Sequence, residues 1–227
     1  MRVESIPFRP RGHEVSRIEA FSDVVFGFAL TLIVVSLEVP KSFEELMEVM
    51  GGFIAFAICF AMLTWIWWVH HVFFRRYALR DDLTIVLNML LLFLVLFYTY
   101  PLKFLFSLVT GQIHDVVRSG TIFVIYGLGF AGIFAVFFLL YLHALRKTKE
   151  LDLNALEVHD TKSAMLMYAA YVGIGALSAL IGATATGRAL NWAGWCYFLL
   201  GPVSAFIGFR RGAERDRLQV ATVDTEP

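Results

Sequence analysis

The sequence predicts an all-α integral membrane protein with six transmembrane helices and both termini in the cytoplasm, and three observations carry that prediction. The first is composition. Of 227 residues, 59% are hydrophobic and 17% charged. Counting glycine in place of tyrosine raises the apolar share to roughly 63%, against about 45–50% in soluble domains. The second is distribution, because the surplus falls in six stretches free of Lys, Arg, Asp and Glu: 24–37, 49–74, 83–102, 119–145, 163–187 and 189–209. The third is the placement of positive charge. Arg2, Arg9, Arg11 and Arg17 precede the first block, Arg75, Arg76 and Arg80 follow the second, Arg146, Lys147, Lys149 and Lys162 follow the fourth, and Arg210, Arg211, Arg215 and Arg217 follow the sixth. Only Lys41, Lys103, Arg118 and Arg188 fall on or near the other side. Positive charge marks the cytoplasmic face, and an even number of spans returns the chain to it. The balance of 19 basic and 19 acidic residues lacks the basic excess of a nucleic-acid binder.

Each block can be weighed against a hydrocarbon core about 30 Å thick, which needs ~20 apolar helical residues. Five blocks meet that length unaided. The first does not, and spans only if its helix runs back through Asp23, Ser22 and Phe21 toward Arg17 and forward to Val39, with Pro40 ending it. A cleaved leader would account for a basic stretch before a short apolar run, but Ser36-Leu37-Glu38-Val39-Pro40 offers no small-residue cleavage site. Pro101 predicts a bend late in the third span. The fourth span carries Gly127, Gly129, Ala131 and Gly132, and the fifth carries Gly175, Ala179, Ala183 and Gly187 with Ser178 and Gly182 beside them. Small residues at this spacing let helix backbones approach, so both read as packing faces. The organisation is thus a cytoplasmic N-terminal segment (1–16), a six-helix domain (17–210) and a polar cytoplasmic tail (211–227) without periodicity. Trp65, Trp67, Trp68, Trp192 and Trp195 read as interfacial belt or packing.

The candidate chemistry gathers at the start of the first span, in Arg17-Ile18-Glu19-Ala20-Phe21-Ser22-Asp23. An intramembrane carboxylate costs about 2.5–3.5 kcal/mol at helix centre, so Asp23 needs a partner. Arg17 lies six residues away, off Asp23's face, so the partner must come from another helix. Candidates at matching depth are Trp67, His70 and His71 late in the second span and Asn88 early in the third. Beyond Asp23, three- and four-residue steps collect Val24, Phe28, Thr31 and Val35, with Leu32 alongside. This apolar stripe with one hydroxyl fits a core or lipid-facing surface, or, with copies of the helix around an axis, a constriction that gates by dewetting. No cofactor or metal is called for: adjacent His70 and His71 point about 100° apart and make no i, i+4 metal pair. Walker loops, nucleophile elbows and paired metal-spaced cysteines are likewise absent from the sequence. With no nucleophile–base set, the chain does not read as an enzyme.

Arg17-x-x-x-Phe21-Ser22-Asp23 resembles the signature of the transmembrane-protein-175 family of endolysosomal and prokaryotic potassium channels. The resemblance extends to Val39-Pro40, Trp68-Val69-His70-His71, Asn88-Met89-Leu90-Leu91-Leu92 and Tyr100-Pro101, about the first half of the chain. It implies a homotetramer in the cell membrane, with the first helix of each copy lining a central pore for permeant potassium. It also implies that bulky side chains on that helix form the constriction, here Phe28 with Thr31, Leu32 and Val35 as further layers. Arg17, Phe21, Ser22 and Asp23, with Trp67, His70, His71 and Asn88, would then hold the helix in place. Phe28 departs from the isoleucine or leucine usual in the family, which bears on selectivity. The competing reading is a proton-conducting or proton-coupled cation carrier in which Asp23 and His70 or His71 exchange protons.

Overall fold

A computed structural model of the chain describes residues 8–35, 40–51, 53–109 and 119–223. These form α1 (Arg17–Val35), α2 (Phe43–Gly51), α3 (Phe53–Tyr77), α4 (Asp82–Val109), α5 (Ser119–Arg146), α6 (Ala155–Thr184), α7 (Asn191–Trp195) and α8 (Leu200–Val223), with single 3-10 turns at Gly187–Leu190 and Cys196–Leu199. Among the described residues, five stretches are long and apolar enough to cross a membrane: Phe56–Tyr77, Asp82–Thr99, Gly120–Arg146, Ala155–Thr184 and Gly187–Val220. The protein is an all-helical multi-pass membrane protein.

Local sequence sets where several helices begin. Ser16 and Glu19 form a reciprocal capping box at α1: the Glu19 N–H donates to Ser16 Oγ (3.2 Å) and the Ser16 N–H to Glu19 Oε2 (2.8 Å). Asn154 and Glu157 repeat it at α6. Asp81 caps α4, accepting from the Thr84 N–H at 2.9 Å and the Thr84 hydroxyl at 3.0 Å. The α1 cap places Asp23 inside the helix, as the short first block required. Residues 36–39, which include Glu38 and Val39, lie outside the described residues, as do the side chains of Val35, Tyr100 and Pro101. The backbone of α4 remains helical past residue 101 to Val109.

Two helices differ from the expected blocks. α6 begins at Ala155, two turns before the charge-free stretch, because its cap lies at Asn154. The last block is not one uninterrupted helix: 3-10 turns flank α7, and the Ala193 carbonyl in this segment accepts the Ser178 hydroxyl at 2.8 Å. The polar tail is also more ordered than its lack of periodicity predicted. α8 continues to Val223, and Arg215 Nε donates to both oxygens of Asp160 on α6 at 3.0 and 3.1 Å.

The helices pack in a row, α1 against α3 and α4, α4 against α5, α5 against α6, and α6 against α8. One aromatic-rich core runs through it, with Phe73, Phe134, Phe137 and Tyr141 buried. The α5–α6 seam follows the predicted small residues. A Cβ added at Gly127 would lie 2.5 Å from the Gly175 carbonyl oxygen, and one at Gly120 would lie 2.5 Å from that of Gly182. Backbone therefore touches backbone at two levels. Ala183 and Gly187, read from sequence as part of this face, are exposed, because the seam turns instead through Gly175, Ser178, Ala179 and Gly182 at 3.6 residues per turn.

Basic connections separated along the chain meet at one end. There the N-terminal segment lies across the ends of α3 and α6: the Arg11 and Gly12 N–H groups donate to the Arg75 carbonyl at 3.0 and 3.1 Å. Arg9 and Arg11 both reach the buried Glu157 carboxylate, at 3.1 and 2.8 Å. Asp81 ties α4 to the end of α5 through His143 at 2.9 Å and Lys147 at 3.1 Å. Burial alone would raise the Asp81 pKa, yet hydrogen bonds from His143, the Thr84 N–H and Lys147 hold the carboxyl well below the usual carboxylate range.

Candidate functional site

The residues singled out around α1 assemble where its first turns cross α3 and α4. Ser22 and Asn88 are fully buried and His70 nearly so. His70 Nε2 lies 2.9 Å from Asn88 Oδ1. An amide oxygen cannot donate, so His70 carries a proton on Nε2 and gives it to this bond. Asn88 Nδ2 then donates to Ser22 Oγ at 3.0 Å, and Ser22 Oγ donates to the Ile18 carbonyl at 2.7 Å. The chain of donors runs from α3 through α4 into α1 and ends on a backbone carbonyl. Its groups satisfy one another in surroundings where an unmade hydrogen bond would cost about 1–3 kcal/mol.

Asp23 faces a different neighbour. Its Oδ1 accepts from Trp67 Nε1 at 2.7 Å, a charge-assisted bond that pins α1 to α3 one turn from the buried cluster. His71 stacks on Trp67 (centroids 5.6 Å apart, planes at 28°) and on Trp68 (5.7 Å, 30°). Asp23, Trp67, His70 and His71 share a cleft of about 160 Å³ with Glu19 and Arg75. Of the partners considered for Asp23, only Trp67 hydrogen-bonds it; Asn88 turns to Ser22 and His70 to Asn88. Arg17 and Phe21 are exposed and stand apart from the buried cluster.

The remaining predicted residues lie on the other side of α1. Phe26, Ala29 and Ile33 are buried against the chain, whereas Val24, Phe28, Thr31 and Leu32 are exposed. The backbone of Val35 continues that exposed line, since 28 to 35 is close to two helical turns. Among the tryptophans, Trp65 is packed between Phe134 and Tyr171, at 5.2 and 5.7 Å, rather than in a belt. Trp192 and Trp195 are exposed.

Sequence reasoning missed the Glu157 hub and the Asp81 hub. The serine, asparagine and aspartate three residues before Glu19, Glu157 and Thr84 are readable cap signals. Nothing local in the sequence pairs Arg9 or Arg11 with a carboxylate about 146–148 residues away.

Together these features define a multi-pass helical membrane protein whose first helix is fixed on one face by a buried polar relay and left apolar and uncovered on the other. The family described as endosomal/lysosomal potassium channel TMEM175 matches residues 17–98, the stretch that holds every member of the relay. A potassium channel of Marivirga tractuosa is 39% identical over 220 residues, covering 88% of this chain and 89% of its own length. The crystal structure of a variant of the potassium channel MtTMEM175 with a nanobody fusion is similar with a TM-score of 0.77 at 36% identity, over 91% of this chain and 97% of that one. A lysosomal potassium-selective channel TMEM175 homologue from Chamaesiphon minutus is similar with a TM-score of 0.60 at 25% identity, over 86% and 96% of the two chains. The chain belongs to the TMEM175 potassium channel family.

Proposed function

We propose that the protein is a potassium-preferring cation channel of the cell membrane, a homotetramer whose α1 helices line a central pore, with both termini cytoplasmic. Residues 17–210 form the six-helix channel domain, with α1 as the sixth span. The observation that carries this reading is the two-sidedness of α1. Phe26 is 2% exposed and Ile33 1%, while Phe28 is 63% exposed on the opposite side. A membrane helix held this firmly by its own subunit leaves its other face for neighbouring copies and the space between them.

Phe28 is the principal constriction in this reading, with Thr31, Leu32 and Val35 as further layers. Four phenyl rings around an axis narrow the path and exclude water, so conduction requires transient wetting. The rings also offer π faces to a dehydrating cation, an attraction worth about 0.5–2 kcal/mol. The buried relay supports a structural role for His70, whose Nε2 proton is committed to Asn88 in a chain that ends on a carbonyl. Asp23 anchors α1 through Trp67.

The test is ion flux from purified protein in liposomes with potassium, sodium or protons as the sole permeant cation. Potassium flux should need no proton gradient. Phe28→Ala should raise cation flux and weaken discrimination between potassium and sodium. Unchanged flux and selectivity would remove Phe28 from the constriction. Flux that depends on a proton gradient, or that Asp23→Asn abolishes in an intact tetramer, would favour the carrier.

A further inference from the structure

A second cavity, of about 530 Å³, opens between α6 and α8 at the arginine-rich end, away from α1. Its chemistry is layered along the two helices. At the outer level Arg215 Nε meets Asp160, 3.0 Å from Oδ1. One turn deeper, Arg211 Nε donates to Ser163 Oγ at 2.9 Å. Arg76, from the end of α3, closes the side with its guanidinium 4.8 Å from the centre of the Phe8 ring. Below the arginines the wall becomes apolar, formed by Met167 and Tyr168 of α6 and Ile207 of α8. Because α6 and α8 run antiparallel, successive turns from residue 160 to 168 on one and from 215 to 207 on the other both pass from polar to hydrocarbon, Asp160 and Ser163 giving way to Met167 on α6 and Arg215 and Arg211 to Ile207 on α8.

Charge is not balanced at the upper level. Three guanidiniums line the cavity against one carboxylate, Asp160. Glu214, which takes Arg211 Nη1 at 2.6 Å from outside the lining, still leaves one positive charge in excess. These contacts orient Arg211 and Arg215, and the net charge of the three guanidiniums and two carboxylates stays positive.

We infer that this cavity binds an anionic phospholipid, its phosphate among Arg76, Arg211 and Arg215 and the start of its acyl chains against Met167, Tyr168 and Ile207. Guanidiniums match phosphate oxygens in bidentate geometry, and basic pockets between membrane helices on the cytoplasmic side favour anionic headgroups. A free phosphate would use the upper layer but gain nothing from the apolar layer one turn deeper. The order of the two layers is that of a phospholipid in the cytoplasmic leaflet. The inference rests on the orientation proposed above and is independent of the pore.

Gly208 supplies a clean probe. It lines the cavity, and a Cβ built there meets nothing within 4 Å, so the backbone accepts a side chain at this position and Gly208→Leu adds hydrocarbon to the cavity wall. The full chain, purified in detergent, is mixed with equal phosphatidylglycerol and phosphatidylcholine of matched acyl chains, and retained lipid is read by native mass spectrometry. Phosphatidylglycerol should be retained over phosphatidylcholine. The double variant Arg76→Gln/Arg211→Gln should lose that preference by roughly thirtyfold, as expected for two basic side chains at a headgroup. Gly208→Leu should reduce phosphatidylglycerol retention severalfold with an unchanged melting temperature, and decides the matter alone if the double variant does not fold. Equal retention of the two lipids by wild type, or undiminished phosphatidylglycerol in Gly208→Leu, overturns the inference. Displacement of phosphatidylglycerol by millimolar inorganic phosphate reassigns the cavity to a free anion. Because lipid retention is read without ion flux, failure here leaves the channel reading untouched.

Discussion

Replacing Gly127 with alanine adds one methyl group, and its effect can be worked out from the seam between α5 and α6. The new Cβ would stand 2.5 Å from the Gly175 carbonyl oxygen, 2.7 Å from the Ala179 nitrogen and 2.9 Å from the Ala179 Cβ. None of these atoms can swing away as a flexible side chain would. Ordinary contact begins near 3.4 Å, so α5 and α6 must part by about 0.9 Å at this level. A gap of that order forfeits about a quarter to a half of the dispersion energy of each contact it opens. Overpacking a tight site costs ~1–3 kcal/mol, and three rigid contacts below 3 Å place this one at the upper end. Alanine's higher helix propensity returns about 1 kcal/mol, leaving a net loss of ~2 kcal/mol. At about 2–4 °C per kcal/mol for a chain of this size, Gly127→Ala should melt roughly 4–8 °C below wild type in detergent. The matched control is Gly173→Ala on α6, where an added Cβ meets nothing within 4 Å. There the propensity gain stands alone, and the melting temperature should hold or rise slightly. If the two alanine variants melt together, α5 and α6 do not meet backbone to backbone and the reasoning fails.

Three other perturbations test different contacts. Trp67→Phe keeps an aromatic ring, though a smaller one, and removes the N–H that Asp23 accepts. Hydrogen bonds between membrane helices are worth about 0.6–2 kcal/mol, so a loss of that size should appear in thermal melting, and Asp23→Asn should add little in the Trp67→Phe background. Glu157→Gln removes the carboxylate shared by Arg9 and Arg11, and tryptic cleavage after Arg11 should become severalfold faster in a timed digest, Arg9 being protected by the following Pro10; an unchanged rate would mean that the N-terminal segment is held by other contacts. Asp81 has a folded pKa below its unfolded value near 3.9, so its stabilisation is fully present above that value and is lost as pH falls toward the folded one. Asp81→Asn should therefore melt below wild type at pH 6–7, with the gap starting to narrow only below about pH 4. A gap that stays constant into acid would assign the effect to capping alone.

The shortage of apolar residues in the first block was the informative sequence signal, because it forced Asp23 into a membrane helix and demanded a partner there. The neighbours followed from depth, but their pairing did not. Whether Asn88 meets Asp23 or Ser22 depends on the rotation of α4 about its axis, and Ser22 and Asp23 point about 100° apart. Periodicity likewise gave the Val24, Phe28 and Thr31 stripe without saying what it faces. Burial of Phe26, Ala29 and Ile33 identifies which side the chain itself covers. The helical tail was illegible for a different reason. Residues 212–223 have a polar composition, and their order accompanies contacts such as that of Arg215 with Asp160, 55 positions away. Arg9 and Arg11 entered the sequence reading only as positive charges that set orientation; their structural partner was hidden by chain distance.

That distance sets the order of assembly. Arg11 and Glu157 are separated by 146 positions. At a synthesis rate of about 5–20 residues per second, the ribosome reaches the carboxylate roughly 7–30 s after the arginine. The segment ahead of the first membrane helix is thus among the first parts of the protein to exist and among the last to find its place. During that interval α1 can insert and meet α3 and α4, and the segment can reach the Arg75 carbonyl of α3, but its ion pairs with the Glu157 carboxylate must wait for α6, so a nascent chain that stops short of residue 157 lacks that half of the fastening.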